Sequence, residues 1–105
     1  MKGQYIIIYT TFSDIENAKK CIDILLKNRL IACCHISQIE SVYRWKGNIE
    51  KSKEYKIEMK SKKMHSNEII KTIKENHNYE VPEIVICDIT DGSASYMQWI
   101  DDEVR

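Results

Sequence analysis

Alternating polar and apolar positions predict a long β-hairpin in the middle of the chain. Tyr43 and Trp45 alternate with Val and Arg before the pair Gly47-Asn48, and residues 54–60 alternate apolar side chains with Glu and Lys after it. A period of two residues is typical of strands. Because glycine readily adopts positive φ, the Gly-Asn pair predicts a tight hairpin turn between them.

The predicted arms are long for so small a chain. A strand from Ala32 to Lys46 would span about 50 Å, whereas a domain of this length has a radius of gyration of about 13 Å. Apolar spacing slips phase along this strand, which predicts a bulge near Ser37-Gln38. The tip either folds back on its own core or projects, and a projecting aromatic ribbon needs another copy of the chain to cover it.

A strand and a helix are predicted before this hairpin, and another strand is predicted after it. The run Gln4–Thr11 is β-branched and aromatic without alternation, which indicates a central strand buried on both faces. The last strand is predicted at Ile84–Ile89. Between the first strand and the hairpin, a helix is predicted to begin at a capping box, Ser13 to Glu16, and to end at a left-handed Asn28.

Two more helices complete the predicted order. Ile69, Ile70 and Ile73 mark the second helix, which should end near Asn76. A third is predicted after Ser93 as N-cap, carrying Tyr96, Trp99 and Ile100 on one side. The order β-α-β-β-α-β plus a terminal helix predicts an α+β, ferredoxin-like sandwich over a single domain, residues 1–105.

Composition narrows the partners. The 105 residues carry 16 basic and 16 acidic side chains, so the formal net charge is zero. Nucleic-acid binding favours a basic excess, and no apolar run is long enough to span a membrane, so we expect neither partner and a cytoplasmic location. The four cysteines form no Cys-x-x-Cys pair and are expected to be small buried hydrophobes kept reduced.

Few residues carry candidate chemistry. Neither a nucleophilic triad nor a phosphate-binding glycine loop is present, so we expect no catalysis. Cys33 and His35 share one strand face and could hold a soft metal, or form a buried thiol beside a hydrogen-bonded imidazole. His65, among lysines, is expected to be solvated.

A second candidate metal cluster lies between the second helix and the last strand. His77, Glu80 and Glu83 fall within seven residues of one another, in a segment that Pro82 keeps extended. His77 and Glu83 form the better ligand pair if the chain turns at Asn78; otherwise His77 is a helix-end histidine placed favourably against the dipole. Two ligands bind weakly, so a third would come from water or from a neighbouring subunit.

Four blocks of the sequence resemble the CutA divalent-cation tolerance proteins. They match the family in order and with similar spacing, nearly from end to end. The blocks are Leu30–Ile36, Ser41–Gly47 (SVYRWKG), His77–Ile84 (HNYEVPEI) and Tyr96–Ile100 (YMQWI).

This resemblance implies a ferredoxin-like homotrimer without catalysis, involved in tolerance of copper or another divalent cation, with no cofactor needed for folding. The metal ligands ascribed to the family are a first-strand cysteine, a histidine near the end of the second helix and the glutamate of the Pro-Glu pair. The last two fall on His77 and Glu83, and the first-strand position holds Thr10.

Two other functions fit the same fold. One is a signalling module that binds a small molecule between subunits, as the trimeric nitrogen-regulatory PII proteins do. The other is a hydrolase of the acylphosphatase type, which needs an arginine in an anion-binding loop, and no such loop follows the first strand. The sequence does not specify a protein partner beyond the chain itself.

Overall fold

Residues 4–105 form one sheet and three α-helices in the predicted order. The structure, a computed structural model, describes residues 4–105, so Met1–Gly3 of the predicted domain 1–105 lie outside the described residues. The elements are β1 (Tyr5–Phe12), α1 (Ile15–Lys27), β2 (Cys33–Trp45), β3 (Asn48–Lys62), a 3₁₀ turn (Lys63–His65), α2 (Ser66–Glu75), β4 (Ile84–Asp88) and α3 (Ala94–Glu103).

The sheet is antiparallel and has the strand order β2-β3-β1-β4. β1 pairs with β3 from Tyr5↔Lys62 to Phe12↔Tyr55 and with β4 on its other side. It is therefore the central, largely buried strand that its apolar run predicts. The α+β, ferredoxin-like order is confirmed.

The main core lies between the sheet and the helices α1 and α2. Even-numbered residues of β1 face these helices, and so do Ile57 and Met59 of β3. The largest side chains in this core are almost without solvent contact: Ile6, Ile8, Phe12, Leu25, Leu30, Ile57, Met59, Ile69 and Ile73. On the opposite face of the sheet, α3 forms a smaller cluster from Tyr5, Ile100 and Val104.

Residues 39–54, here named the ribbon, project beyond this core. The seven pairs from Ile39↔Glu54 to Trp45↔Asn48 join only β2 and β3, because β1 ends opposite Tyr55. The molecule is accordingly 44 Å long but only 26 and 22 Å in its other dimensions. Of the two alternatives, the tip projects rather than folding back.

Two predictions about the hairpin are wrong in detail. β2 and β3 keep one register without a bulge at Ser37-Gln38. The apolar phase slips because Ile36 and Ile39 point to opposite faces, and both faces of the ribbon are open. The turn residues are Lys46 (φ 50°) and Gly47 (φ 83°), while Asn48 already begins β3. Positive φ at both positions is the signature of a type I′ turn.

The ends of α1 also differ from the prediction. Asp14, not Ser13, caps the helix, and its carboxylate accepts the Glu16 N–H at 2.9 Å. Asn28 keeps φ at −87°, and the next residue, Arg29, takes the left-handed conformation at φ 54°. The guanidinium of Arg29 holds this bend by donating to two backbone carbonyls at the end of α3, at 2.8 and 3.1 Å.

Two smaller expectations are also corrected. His65 is only 7 % exposed rather than solvated, because its Nε2 contacts the carbonyl of Arg105 where the chain returns to α2. Ser93 is the residue before α3, as predicted, but its side chain makes no capping bond.

Candidate functional site

A cleft of about 440 Å³ lies between the ribbon and the segment that joins α2 to β4. The ribbon supplies one wall, the end of β1 the floor, and residues 78–83 the other wall. The side chains that line it are Thr11, Tyr43, Trp45, Glu54, Asn78, Tyr79, Glu80, Val81 and Glu83.

The ribbon wall follows from strand periodicity. Tyr43 and Trp45 are two residues apart on β2, so both point to the same face. The Tyr43 hydroxyl reaches the Ser52 hydroxyl on β3 at 3.5 Å. Both aromatic rings remain partly exposed, at 44 % and 39 %. An apolar wall with polar edges therefore faces residues 78–83.

A hydrogen bond between Tyr79 and Glu54 closes the base of the cleft. The Tyr79 hydroxyl donates to Glu54 Oε2 at 2.6 Å, and Glu54 is only 7 % exposed. Burial, followed by this bond to the carboxylate, raises the pKa of Tyr79 to about 12. The phenol therefore stays protonated across the physiological range and remains a donor to Glu54.

His77 lies behind the cleft wall and not in it. Its ring stacks on Phe12, with centroids 4.1 Å apart, and Nε2 lies 2.7 Å from the Thr11 carbonyl. Nδ1 accepts the Tyr79 N–H at 3.0 Å, so the bond at Nε2 must be a donated one in a neutral ring. Burial lowers the pKa of His77, against smaller opposing effects of the Thr11 bond and the Glu54 charge.

Asparagine side chains fix the path of the chain between α2 and the cleft. Asn17 on α1 donates to the Asn76 carbonyl at 2.6 Å and accepts the Asn78 N–H at 3.2 Å. Asn76 in turn donates to the carbonyl of Thr72 at 2.8 Å. These bonds attach the beginning of the cleft wall to both helices.

The cleft is acidic. Three carboxylates line it, those of Glu54, Glu80 and Glu83, and no Lys, Arg or His does. None of the three forms an ion pair with another residue in the described range 4–105. The charged residues that line the cleft are therefore all acidic, which favours positively charged occupants.

The structure places the two predicted metal ligands differently. Glu83 is exposed and lines the cleft, whereas both ring nitrogens of His77 already have hydrogen-bond partners. Among residues 4–105, no three His, Cys, Asp or Glu side chains are grouped closely enough to hold one metal ion. The described residues therefore do not form a preformed metal site. Metal binding by the pair His77 and Glu83 stays a prediction.

The side chains of the second predicted metal pair, Cys33 and His35, contact different partners. Cys33 Sγ lies 3.6 Å from the Tyr96 hydroxyl, and His35 Nδ1 lies 3.7 Å from a Glu58 oxygen. His35 is exposed, so the expected buried thiol beside a bonded imidazole is not found.

The four thiols are free, but they are not uniformly buried as expected. Cys21 is buried in the core, and burial raises its pKa to about 11. Cys87 is exposed because it lies on the outer strand β4, on the face that α1 and α2 leave uncovered.

Sequence patterns alone did not reveal most of the cleft. Glu54 and Tyr79 are 25 residues apart and were not paired by any motif, and Glu54 alternates with apolar residues as a surface glutamate would. The available signals were the acidic residues Glu80 and Glu83 of the connecting segment, together with the blocks resembling the CutA family, which contain Tyr43, Trp45 and Tyr79.

Comparison with known proteins identifies the family. The family model described as CutA1 divalent ion tolerance protein matches residues 6–103. The divalent-cation tolerance protein CutA of Pyrococcus horikoshii is 40 % identical over 100 residues, which cover 95 % of this chain and 98 % of that protein.

Solved structures agree with this match. The periplasmic divalent cation tolerance protein CutA of Archaeoglobus fulgidus superposes with a TM-score of 0.93 at 31 % identity, covering 96 % of this chain and 99 % of that one. CutA1 of the psychrotrophic bacterium Shewanella sp. SIB1 gives a TM-score of 0.93 at 32 % identity, over 99 % and 98 % of the two chains. The chain belongs to the CutA1 divalent ion tolerance family.

Proposed function

We propose that this protein acts in divalent-cation tolerance as a non-catalytic homotrimer that binds Cu²⁺ weakly and exchangeably. Membership of the CutA1 family supports the tolerance role, since the family is named for tolerance and not for a reaction. The projecting ribbon supports assembly, because Tyr43, Trp45 and Ile49 have no core of their own to cover them.

The observation that carries metal binding is the Glu83 carboxylate at the edge of an acidic cleft, which forms no ion pair with residues 4–105. A cation attracted there could recruit His77 only by replacing the bond from Nε2 to Thr11. Since that exchange costs a buried hydrogen bond, the affinity should be low. Water or a neighbouring copy would supply the remaining ligands, and Cu²⁺ is favoured by the general order of divalent affinities.

Calorimetric titration of Cu²⁺ tests this binding. Wild type, Glu83→Gln and His77→Gln would be compared with thiols blocked, with Glu103→Gln as a charge-matched control on the exposed end of α3. We expect weaker binding in the two cleft variants and an unchanged isotherm in the control. Binding should also fade as the pH falls below the ordinary imidazole value of about 6.5 and through the pKa of His77, which burial lowers. Coincident isotherms for all four proteins would remove copper from the proposal.

A second function is favoured by the size of the cleft. Its volume of about 440 Å³ falls within the range usual for small-molecule sites, about 300–1,000 Å³. The cleft is open on one side, which a neighbouring copy could close. A signalling module that binds a small molecule between subunits therefore remains the alternative, and a ligand-dependent change in thermal stability without metal would favour it.

The cellular setting belongs to the same proposal. We place the protein in the cytoplasm, with neither nucleic acid nor membrane as partner. The zero formal charge supports the absence of a nucleic-acid partner. Within residues 4–105, no helix has the length and apolar character needed to cross a bilayer. Fractionation of cells expressing the protein would test the location.

A further inference from the structure

We propose that the cleft binds a small organic cation of the polyamine class, a flexible chain carrying two or more ammonium groups. This inference rests on the proposed small-molecule function of the cleft and names its ligand chemistry, but it does not depend on copper binding. Charge, size and aromatic lining each point to this class.

Glu54 gives the strongest indication of a cationic occupant. Its side chain is 93 % removed from solvent, since 7 % is exposed, yet it lines the cleft and forms no ion pair with residues 4–105. Only Oε2 has a bonding partner there, the Tyr79 hydroxyl. Oε1 forms no hydrogen bond with residues 4–105 and is not sealed from solvent, so it can accept a further donor that enters the cleft.

The two other carboxylates extend the negative charge along one wall. Glu80 and Glu83 belong to the connecting segment and are exposed to solvent, while Glu54 lies at the base beneath them. A ligand that reaches from the base to the rim can contact both levels. A single ammonium group or a monatomic ion could contact only one.

The spacing of these groups argues against a metal ion as the main occupant. No three His, Cys, Asp or Glu side chains of residues 4–105 converge on one point, although three carboxylates line a single cleft. Because the three carboxylates line one cleft without converging on one position, they suit a cation whose positive charges are also separated. The cleft volume of about 440 Å³ leaves room for the methylene chain between them.

Aromatic rings suit the rest of such a ligand. Tyr43, Trp45 and Tyr79 line the cleft with Val81, and methylene groups next to an ammonium pack well against ring faces. The Trp45 ring already contacts an ammonium group of the chain, since Lys46 Nζ lies 5.6 Å from the ring centroid. The ring therefore accepts an alkylammonium group in this environment.

Trp45 also supplies the measurement. The chain has two tryptophans, so Trp99→Phe leaves Trp45 as the sole indole reporter, inside the cleft. The assembled protein would be titrated with spermidine, with 1,8-octanediol as a neutral chain and with MgCl₂ as a compact cation. We expect a saturable change in Trp45 fluorescence with spermidine alone, and weaker binding as salt screens the carboxylates.

Substitution of the rim carboxylates provides the matched test. In the Trp99→Phe background, Glu80→Gln with Glu83→Gln should weaken spermidine binding about tenfold, since two screened charge contacts are lost. Glu103→Gln removes the same charge from the end of α3 and should leave the affinity unchanged. All variants keep Glu54 and Tyr79, so the base of the cleft remains intact.

Three results would overturn the inference. One is the absence of a saturable response to spermidine, another is an equal response to Mg²⁺, and the third is an affinity that the double substitution leaves unchanged. If spermidine fails and the double substitution instead changes the oligomeric mass, the occupant is a basic side chain of a second copy. Copper calorimetry is independent: spermidine binding without copper binding removes the copper proposal and leaves this one.

Discussion

The body of the protein and its ribbon share the strands β2 and β3, but the apolar side chains of these strands are buried in the body and exposed in the ribbon. In the body, β3 lies between β2 and β1, and Ile57 and Met59 are at most 1 % exposed. In the ribbon, Val42 and Ile49 of the same strands are 58 % and 67 % exposed. Strand pairing continues unchanged across the boundary, so backbone hydrogen bonds alone do not decide where a core forms. Burial needs a second layer packed on the strands, and the ribbon lacks one in a single chain.

The most severe test of this difference removes the ribbon aromatics. Tyr43→Ala combined with Trp45→Ala should abolish the assembled species, because these are the two partly exposed aromatic rings that the ribbon offers to another copy. Light scattering at micromolar concentration would measure the mass. A wild-type protein that is already monomeric there would contradict the assembly proposal.

A matched pair of truncations compares body and ribbon directly. Ile8→Ala should lower the free energy of unfolding by about 2–5 kcal/mol at any protein concentration, since Ile8 is fully buried in the core. Ile49→Ala should cost less than about 0.5 kcal/mol when the protein is dilute enough to dissociate, as an exposed residue would. Urea unfolding at two protein concentrations measures both, and equal costs at low concentration would contradict the contrast.

The ribbon turn should tolerate less than its exposure suggests. Gly47→Val should lower stability by about 1–3 kcal/mol, because φ is 83° and a β-branched residue is strained there even though space for its side chain is available. Lys46→Gly is the matched change, and it should stabilise the turn slightly by relieving φ of 50°. Thermal midpoints compare them, and a midpoint unaffected by Gly47→Val would show that the turn carries no strain.

The smallest expected effect is the pH dependence of stability that comes from His77, which lies between the body and the cleft. Because burial lowers the pKa of His77, the unfolded chain binds a proton at a higher pH than the native protein does. The contribution of the neutral His77 ring to the free energy of unfolding is therefore fully present above about pH 6.5. It is lost as the pH falls through the pKa of His77 in the native protein.

Urea unfolding at pH 7.5 and at pH 5.5 would measure this loss. His77→Gln, which lacks the titrating ring, should lose less stability over that interval than wild type. A variant with the same pH dependence as wild type would assign the loss to other groups.

Local patterns in the sequence determined the element order, the central position of β1 and the two main helices. These follow from apolar runs and helical periodicity, which act over a few residues and need no distant partner. The same reasoning failed where two local solutions have similar energies. Ser13 and Asp14 can each cap α1, and Asn28 and Arg29 can each take the left-handed bend, and contacts with α3 decide the second case.

Tertiary structure alone decided the cleft and the burial of its groups. Glu54 has the sequence environment of a solvated strand residue, and only the approach of Tyr79 from a distant segment buries it. The sequence marks His77 as a candidate metal ligand, but its two ring bonds, to Thr11 and to the backbone of Tyr79, depend on β1 ending beside α2. A sequence pattern specifies which residues share a face, whereas charge compensation and solvent access depend on which faces meet.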